Sequence, residues 1–332
     1  MFINSLILST FITISSNSWM GMWIGLEINL LSIIPLMNNI KNSYSSESSI
    51  KYFIVQAISS AIMLMSVILT IKFNTSIPLS NINNSISMIF NSSMMTKMGA
   101  APFHFWFPEI MEGLNWFNCF IMMTWQKISP FILLNYSINN INFIILVIIC
   151  STLIGGIMGL NQTSLRKIFT YSSINHISWM ISSIMFIETI WFYYLIIYSF
   201  ILMNLIIVLN TFKIFYLKQI FMFTSKNLLI YYFFILNLFS LGGLPPFIGF
   251  FPKWIIIQSM INENFIFLSY FMIIFTLLTL FYYIRIMFSS LTLNINEINF
   301  IKINSHSLFL PNLINTFNLI SLPVFTICFN FI

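Results

Sequence analysis

The chain has 332 residues and a net charge of +6, with 59% of its residues hydrophobic and only 6% charged. Thirteen Lys/Arg, seven Glu and no Asp cannot furnish the polar shell of a soluble fold, in which about 25% of residues are charged. The basic residues never cluster with aromatics, which argues against nucleic acid as a partner. Cys119, Cys150 and Cys328 lie far apart with no C-x-x-C, which argues against zinc or iron–sulfur centres.

Crossing a ~30 Å hydrocarbon core takes ~20 apolar residues. Apolar runs fall at 2–17, 20–38, 50–71, 85–107, 113–136, 141–160, 168–187, 189–212, 228–260, 264–288 and 311–332. The first is short and Ser/Thr-rich, and Met1 to Ile14 lack the basic start of a signal peptide. Apolarity continues around each segment instead of forming one stripe, which is the lipid-facing pattern. The expectation is an all-α polytopic membrane protein of about eleven transmembrane helices, forming a single transmembrane domain over 1–332. Within it, a first repeat covers roughly 1–136 and extends to about 212, a second covers roughly 228–290, and a C-terminal helix covers 311–332.

Polar hinges at Asn38–Ser49, Lys72–Asn84, Asn161–Lys167, Lys213–Asn227 and Leu291–Ser307 separate the runs. If the spans alternate, one side receives Lys41, Lys51, Arg166, Lys167, Lys213, Lys218, Lys226, Arg285 and Lys302, and the other only Lys72. That asymmetry is the positive-inside pattern and predicts an N-terminus on the positive side with the C-terminus opposite. Trp19, Trp23, Trp106, Trp116 and Trp191 lie near span ends, where interfacial anchors sit. Abundant Ile, Asn, Phe, Met and Tyr with scarce Ala and Arg hint at an AT-rich genome, as many organelles have.

One frame, G-x-x-P-F-x-x-x-F-P, occurs twice at an offset of 144 residues. It covers Gly99 to Pro108 (Pro102, Phe103, Phe107) and Gly243 to Pro252 (Pro246, Phe247, Phe251). Proline removes a backbone donor and glycine lets the chain bend, so discontinuous helices are expected around 97–108 and 242–253. Helices broken at matching places in two halves point to a transport site. The alternative is a pair of kinked helices with no special role.

An ionisable residue at a span's centre costs at least ~2.5 kcal/mol on insertion scales. Glu27, Lys97, Lys127 and Lys253 bear that cost. One acid among three lysines predicts that Glu27 pairs with one lysine at a time, and carboxylate movement would then switch a lysine between holding and releasing its proton. Lys suits this role, because Arg does not deprotonate. Snorkelling to an interface is the alternative for Lys127 and Lys253, and a static helix contact is the alternative for Glu27. His176, among hydroxyls in Tyr171-Ser-Ser-Ile-Asn-His176, can relay protons or serve as a satisfied polar side chain. His104 lies inside the first repeat, and His306 lies in a loop. Gly21/Gly25 and Gly155/Gly159 have the spacing of close helix packing. No nucleotide loop, nucleophile elbow or metal-spaced cluster occurs, so the chain is expected to bind no nucleotide and to hold no redox centre or metal.

Ser18–Leu31, Lys97–Pro108, Met123–Pro130, Gly159–Lys167, Tyr171–His176 and Leu241–Trp254 run in order over 18–254. In these segments the chain resembles the antiporter-like subunit family of mitochondrial complex I, the proton-pumping NADH:ubiquinone oxidoreductase. The match is weak in the loops and over roughly 290–332. The resemblance implies inverted five-helix repeats with one discontinuous helix each, eleven spans, and residence in the mitochondrial inner membrane with a matrix-side N-terminus. It further implies that Glu27 modulates a key lysine, Lys97, that Lys127 is the connecting lysine, and that Lys253 is the lysine of the second broken helix. His176 falls on the helix between them. The resemblance assigns NADH, FMN, iron–sulfur clusters and ubiquinone to other subunits, and implies membrane-arm subunits, accessory subunits and phospholipids such as cardiolipin as partners. A stand-alone cation/proton antiporter shares the same expected features.

Overall fold

The computed structural model describes residues 1–39, 42–74, 80–138, 140–220 and 228–292. The expected C-terminal span 311–332 lies outside the described residues, with Lys302, His306 and Cys328, and so do Lys41 and Lys226.

In chain order the helices are α1 (Phe2–Ser15), α2 (Trp19–Met37), α3 (Ser43–Asn74), α4 (Ser80–Met98), α5 (Trp106–Gly113), α6 (Trp116–Met123) and α7 (Trp125–Asn135). They continue as α8 (Ile141–Met158), α9 (Leu165–Phe186), α10 (Ile190–Phe212), α11 (Leu228–Gly242), α12 (Phe250–Asn262) and α13 (Ile266–Thr292), with a 3₁₀ turn at Leu217–Ile220. The single β feature among the described residues is an isolated bridge between Ser164 and Tyr216. By length and composition, five helices can cross a bilayer: α2, α3, α8, α10 and α13. The interruptions shorten others, and α9 is too polar to qualify alone. Its residues are buried without gap from Ile168 to Ile184, so its serines, Asn175 and His176 face protein instead of lipid.

The chain divides into two compact units, Met1–Ser151 with His176–Glu188, and Thr152–Asn175 with Thr189–Ile332. In the first, α1 packs along α2, α3 along α2, α4 and α5, and α4 along α7. Gly25 permits the first contact, because a Cβ there would fall 2.9 Å from the Thr13 backbone nitrogen. In the second unit, α10 packs on α11 and α12, and α13 on both of these. Gly155 lets α8 approach α9, where a Cβ would meet the Tyr171 carbonyl at 2.8 Å. Gly159 accommodates the Tyr282 ring, which a Cβ would approach to 2.7 Å. Arg285 donates to the carbonyls of Leu160 and Gln162, capping the turn after α8.

Several expectations are corrected. The run 113–136 is two helices, α6 and α7, parted at Thr124, whose hydroxyl turns back onto the Phe120 carbonyl at 2.7 Å. Pro130 lies inside α7, which continues past it although proline has no N–H to offer the Gln126 carbonyl. Helix α3 starts at Ser43, inside the expected hinge and seven residues before the expected run at 50. Trp116 and Trp191 are buried within the protein, 1% and 6% exposed, instead of standing as interfacial anchors.

Candidate functional site

The two repeats fold alike. Helix α4 ends at Met98 and α5 starts at Trp106; 144 residues on, α11 ends at Gly242 and α12 starts at Phe250. Each first half ends on a glycine in the left-handed region, Gly99 at φ 73° and Gly243 at φ 81°. The closing bonds match. Gly99 N donates to Thr96 O at 3.2 Å and Ala100 N to Met95 O at 3.0 Å, while Gly243 N donates to Ser240 O at 3.1 Å and Leu244 N to Phe239 O at 3.3 Å. This is the Schellman closure, which satisfies two terminal carbonyls and leaves others open. Glycine therefore stops both helices. Pro108 and Pro252 lie in the first turn of the second half, where a missing N–H costs no helical bond, so they start helices and do not break them.

The open carbonyls acquire different partners. In the second unit, the Lys253 Nζ reaches back across the break and donates to Gly242 O at 2.9 Å and Leu241 O at 3.3 Å. Gly243 makes this possible, since a Cβ there would stand 2.7 Å from that nitrogen. Lys253 is 6% exposed. A cation thus sits at the C-terminal end of α11, where the helix dipole is negative. In the first unit, the corresponding Lys97 carbonyl accepts from Gln56 Nε2 at 3.4 Å, and Lys97 itself occupies the last turn of α4, again at the negative end. At the position matching Lys253 stands Glu109, exposed and paired at 3.0 Å with Lys51, which also meets Glu47 at 3.0 Å. The sequence repeat therefore matches in backbone and differs in where its charge sits.

Around Lys97, a cavity is lined by Asn29, Tyr52, Gln56, Gln126 and Ser129. Asn29 and Gln126 bond reciprocally, Nδ2 to Oε1 at 3.1 Å and Nε2 to Oδ1 at 2.9 Å. The Tyr52 hydroxyl donates to the same Gln126 oxygen at 3.3 Å. Half-buried Glu27 acts electrostatically on Lys97 without closing a direct ion pair. Lys127, 1% exposed, stands in the first turn of α7 just after the Thr124 interruption, and its ammonium lies 5.5 Å from the Phe107 ring centroid. That ring packs against Gly99, where a Cβ would come within 3.1 Å of Phe107 Cβ. Each positive-φ glycine thus makes room for a side chain that serves a lysine, or for the lysine itself.

His176 is 5% exposed on α9. His104, 3% exposed in the first break, lies 3.3 Å through Nδ1 from the Pro102 carbonyl. Sequence reasoning passed over Asn29, Tyr52, Gln56 and Gln126. Their only signal was polarity inside apolar runs, with Asn29 two residues after Glu27 and Gln126 immediately before Lys127. It also passed over Tyr194, Tyr198, Tyr282 and Tyr283, four phenols buried in the second unit. Among the described residues no group of three His, Cys or carboxylate side chains is placed to hold a metal.

Buried lysines beside interrupted helices, in an all-helical protein with bilayer-length apolar spans, define a polytopic membrane protein of the transporter architecture. The chain belongs to the NADH:quinone oxidoreductase/Mrp antiporter transmembrane family, which matches residues 16–279. It is 50% identical over 318 residues to NADH-ubiquinone oxidoreductase chain 2 of Aedes aegypti, covering 96% of this chain and 93% of that relative. It is 46% identical over 323 residues to the chain of the same name from Anopheles gambiae, covering 97% and 94%. Its fold is similar to a chain of respiratory complex I from Thermus thermophilus with bound aureothin, with a TM-score of 0.85 at 19% identity, covering 96% of this chain and 77% of that one.

Proposed function

We propose that this chain is an antiporter-like, proton-translocating core subunit of the membrane arm of respiratory complex I, in the mitochondrial inner membrane. The carrying observation is the pair of interrupted helices whose negative ends each hold a buried lysine, Lys97 in one unit and Lys253 in the other. Such lysines cost at least ~2.5 kcal/mol each to place in a membrane, which a scaffold has no reason to sustain. Near-complete alignment with curated chain 2 relatives favours this reading over a stand-alone antiporter.

In this reading the chain has eleven membrane helices in inverted repeats, with its N-terminus on the matrix side and its C-terminus facing the intermembrane space. NADH, FMN, iron–sulfur clusters and ubiquinone belong to other subunits, and phospholipids, including cardiolipin, surround the chain. Ubiquinone reduction elsewhere shifts buried charge along the membrane arm. The hold of Glu27 on Lys97 loosens, and Lys97 releases its proton toward Lys127. His176 and Lys253 continue the series. Each step needs only a group that exchanges a proton and a neighbour whose charge alters its affinity.

Replacing Lys97 by Met tests the assignment. Assembled Lys97→Met complex in proteoliposomes is expected to move fewer protons per electron taken from NADH. A wild-type ratio would defeat the assignment. Migration of the native chain as a small species without NADH oxidation would favour the antiporter instead.

A further inference from the structure

We propose that the reciprocal amide pair of Asn29 and Gln126, pinned by Tyr52, is a positioning clasp that makes the helix carrying Glu27 and the helix carrying Lys127 move as one body during proton transfer. The inference rests on the proposed pumping function and adds residues that no step of that function uses.

Asn29 on α2 is 3% exposed and Gln126 on α7 is 9% exposed, and both stand in the wall of the cavity around Lys97. Each amide donates one N–H to the other's oxygen, giving a closed two-bond ring at 3.1 and 2.9 Å. A carboxamide neither gains nor loses a proton in the physiological range. The ring therefore keeps its geometry whatever charge its neighbours carry, which an ion pair at the same place would not do. Tyr52 adds a third bond at 3.3 Å to the Gln126 oxygen, tying α3 to the same point. From α3, Gln56 one turn on holds the Lys97 carbonyl at 3.4 Å.

The clasp lies close along the chain to the groups whose spacing matters. Asn29 follows Glu27 by two residues, Gln126 precedes Lys127 by one, and Lys97 opens into the same cavity. Ser129, one turn beyond on α7, presents to that cavity a buried hydroxyl with no hydrogen-bond partner among the described residues. Tilting α2 alone would change the Glu27–Lys97 and Glu27–Lys127 separations together. With α2 clasped to α7, the Glu27–Lys127 separation stays fixed when α2 tilts.

The test uses the whole complex carrying Asn29→Leu, Tyr52→Phe, or the exchange Asn29→Gln with Gln126→Asn, reconstituted in proteoliposomes. NADH oxidation and proton uptake are measured together. Asn29→Leu is expected to lower the protons moved per electron while NADH oxidation continues. Loss of one neutral hydrogen bond in Tyr52→Phe shifts the closed-to-open balance of the clasp by roughly fivefold, giving a smaller fall in the same ratio. The exchange preserves the two amides and restores the ratio. A merely structural role would reduce assembled complex and oxidation in parallel and leave the ratio untouched, which overturns the proposal. If Asn29→Leu does not assemble, a wild-type ratio in Tyr52→Phe overturns it equally. Lys97→Met separates the two claims: a normal ratio there sinks the pumping assignment, whereas a lowered ratio there with normal clasp variants sinks the clasp alone.

Discussion

Replacing Gly243 by Ala strikes the point where backbone and buried charge meet. At φ 81° an L-residue costs about 1–2 kcal/mol. The added methyl would stand 2.7 Å from Lys253 Nζ and 2.9 Å from its Cδ, so the lysine must leave the carbonyls of Leu241 and Gly242. Losing a charge-assisted bond costs a further 1.5–3 kcal/mol or so, which brings the total to about 2.5–5 kcal/mol. Gly242→Ala is the control, because its methyl meets only Leu280 side-chain atoms from 3.4 Å outward. Thermal inactivation of the assembled complex and protons moved per electron, measured side by side, read the two consequences. Gly243→Ala should lose both stability and pumping ratio, and Gly242→Ala neither. Equal behaviour of the two variants would refute the reasoning from cap geometry to lysine seat.

Gly159→Ala should lower the melting temperature of the assembled complex, because its methyl would press on Tyr282 at 2.7 Å and overpacking of this kind costs about 1–3 kcal/mol. Arg285→Leu should lower it too, since bonds to the Leu160 and Gln162 carbonyls worth about 1.5–3 kcal/mol are lost, and Arg285→Lys should recover part of that loss. Lys51→Met should leave the melting temperature unchanged, since its pairs with Glu47 and Glu109 are exposed and water screens them.

The breaks were legible because glycine and proline signal locally. Gly99 and Gly243 stand at equal places in a repeated frame, and the sequence alone marks them. What each residue does was less legible. Proline was read as the breaker, whereas the left-handed glycine closes the helix and Pro108 and Pro252 open the next one. Thr124 carries no comparable signal, so the parting of α6 and α7 appeared only in three dimensions. The buried charges could be found one by one, since an ionisable residue in an apolar run is conspicuous. Their companions could not. Asn29 and Gln126 lie 97 residues apart, and polarity alone does not say which distant amide will complete a reciprocal pair. Lys253 shows the same limit. Its position beside the break was readable, but its reach back to the end of α11 depended on the missing Cβ of Gly243.

The helices repeatedly turn buried hydroxyls onto the carbonyl three residues earlier: Ser9 to Leu6, Ser59 to Gln56, Ser66 to Met63, Ser173 to Thr170 and Ser183 to Met180. A serine bonded in this way offers its neighbour a bump little larger than a methyl, and tight membrane packing asks for small bumps of that kind. Alanine, the other residue of that size, occurs only four times, at positions 57, 61, 100 and 101. Every alanine codon begins with G and C, while serine codons do not. Back-bonded serine is therefore a residue through which a chain so poor in alanine can keep its helices close together.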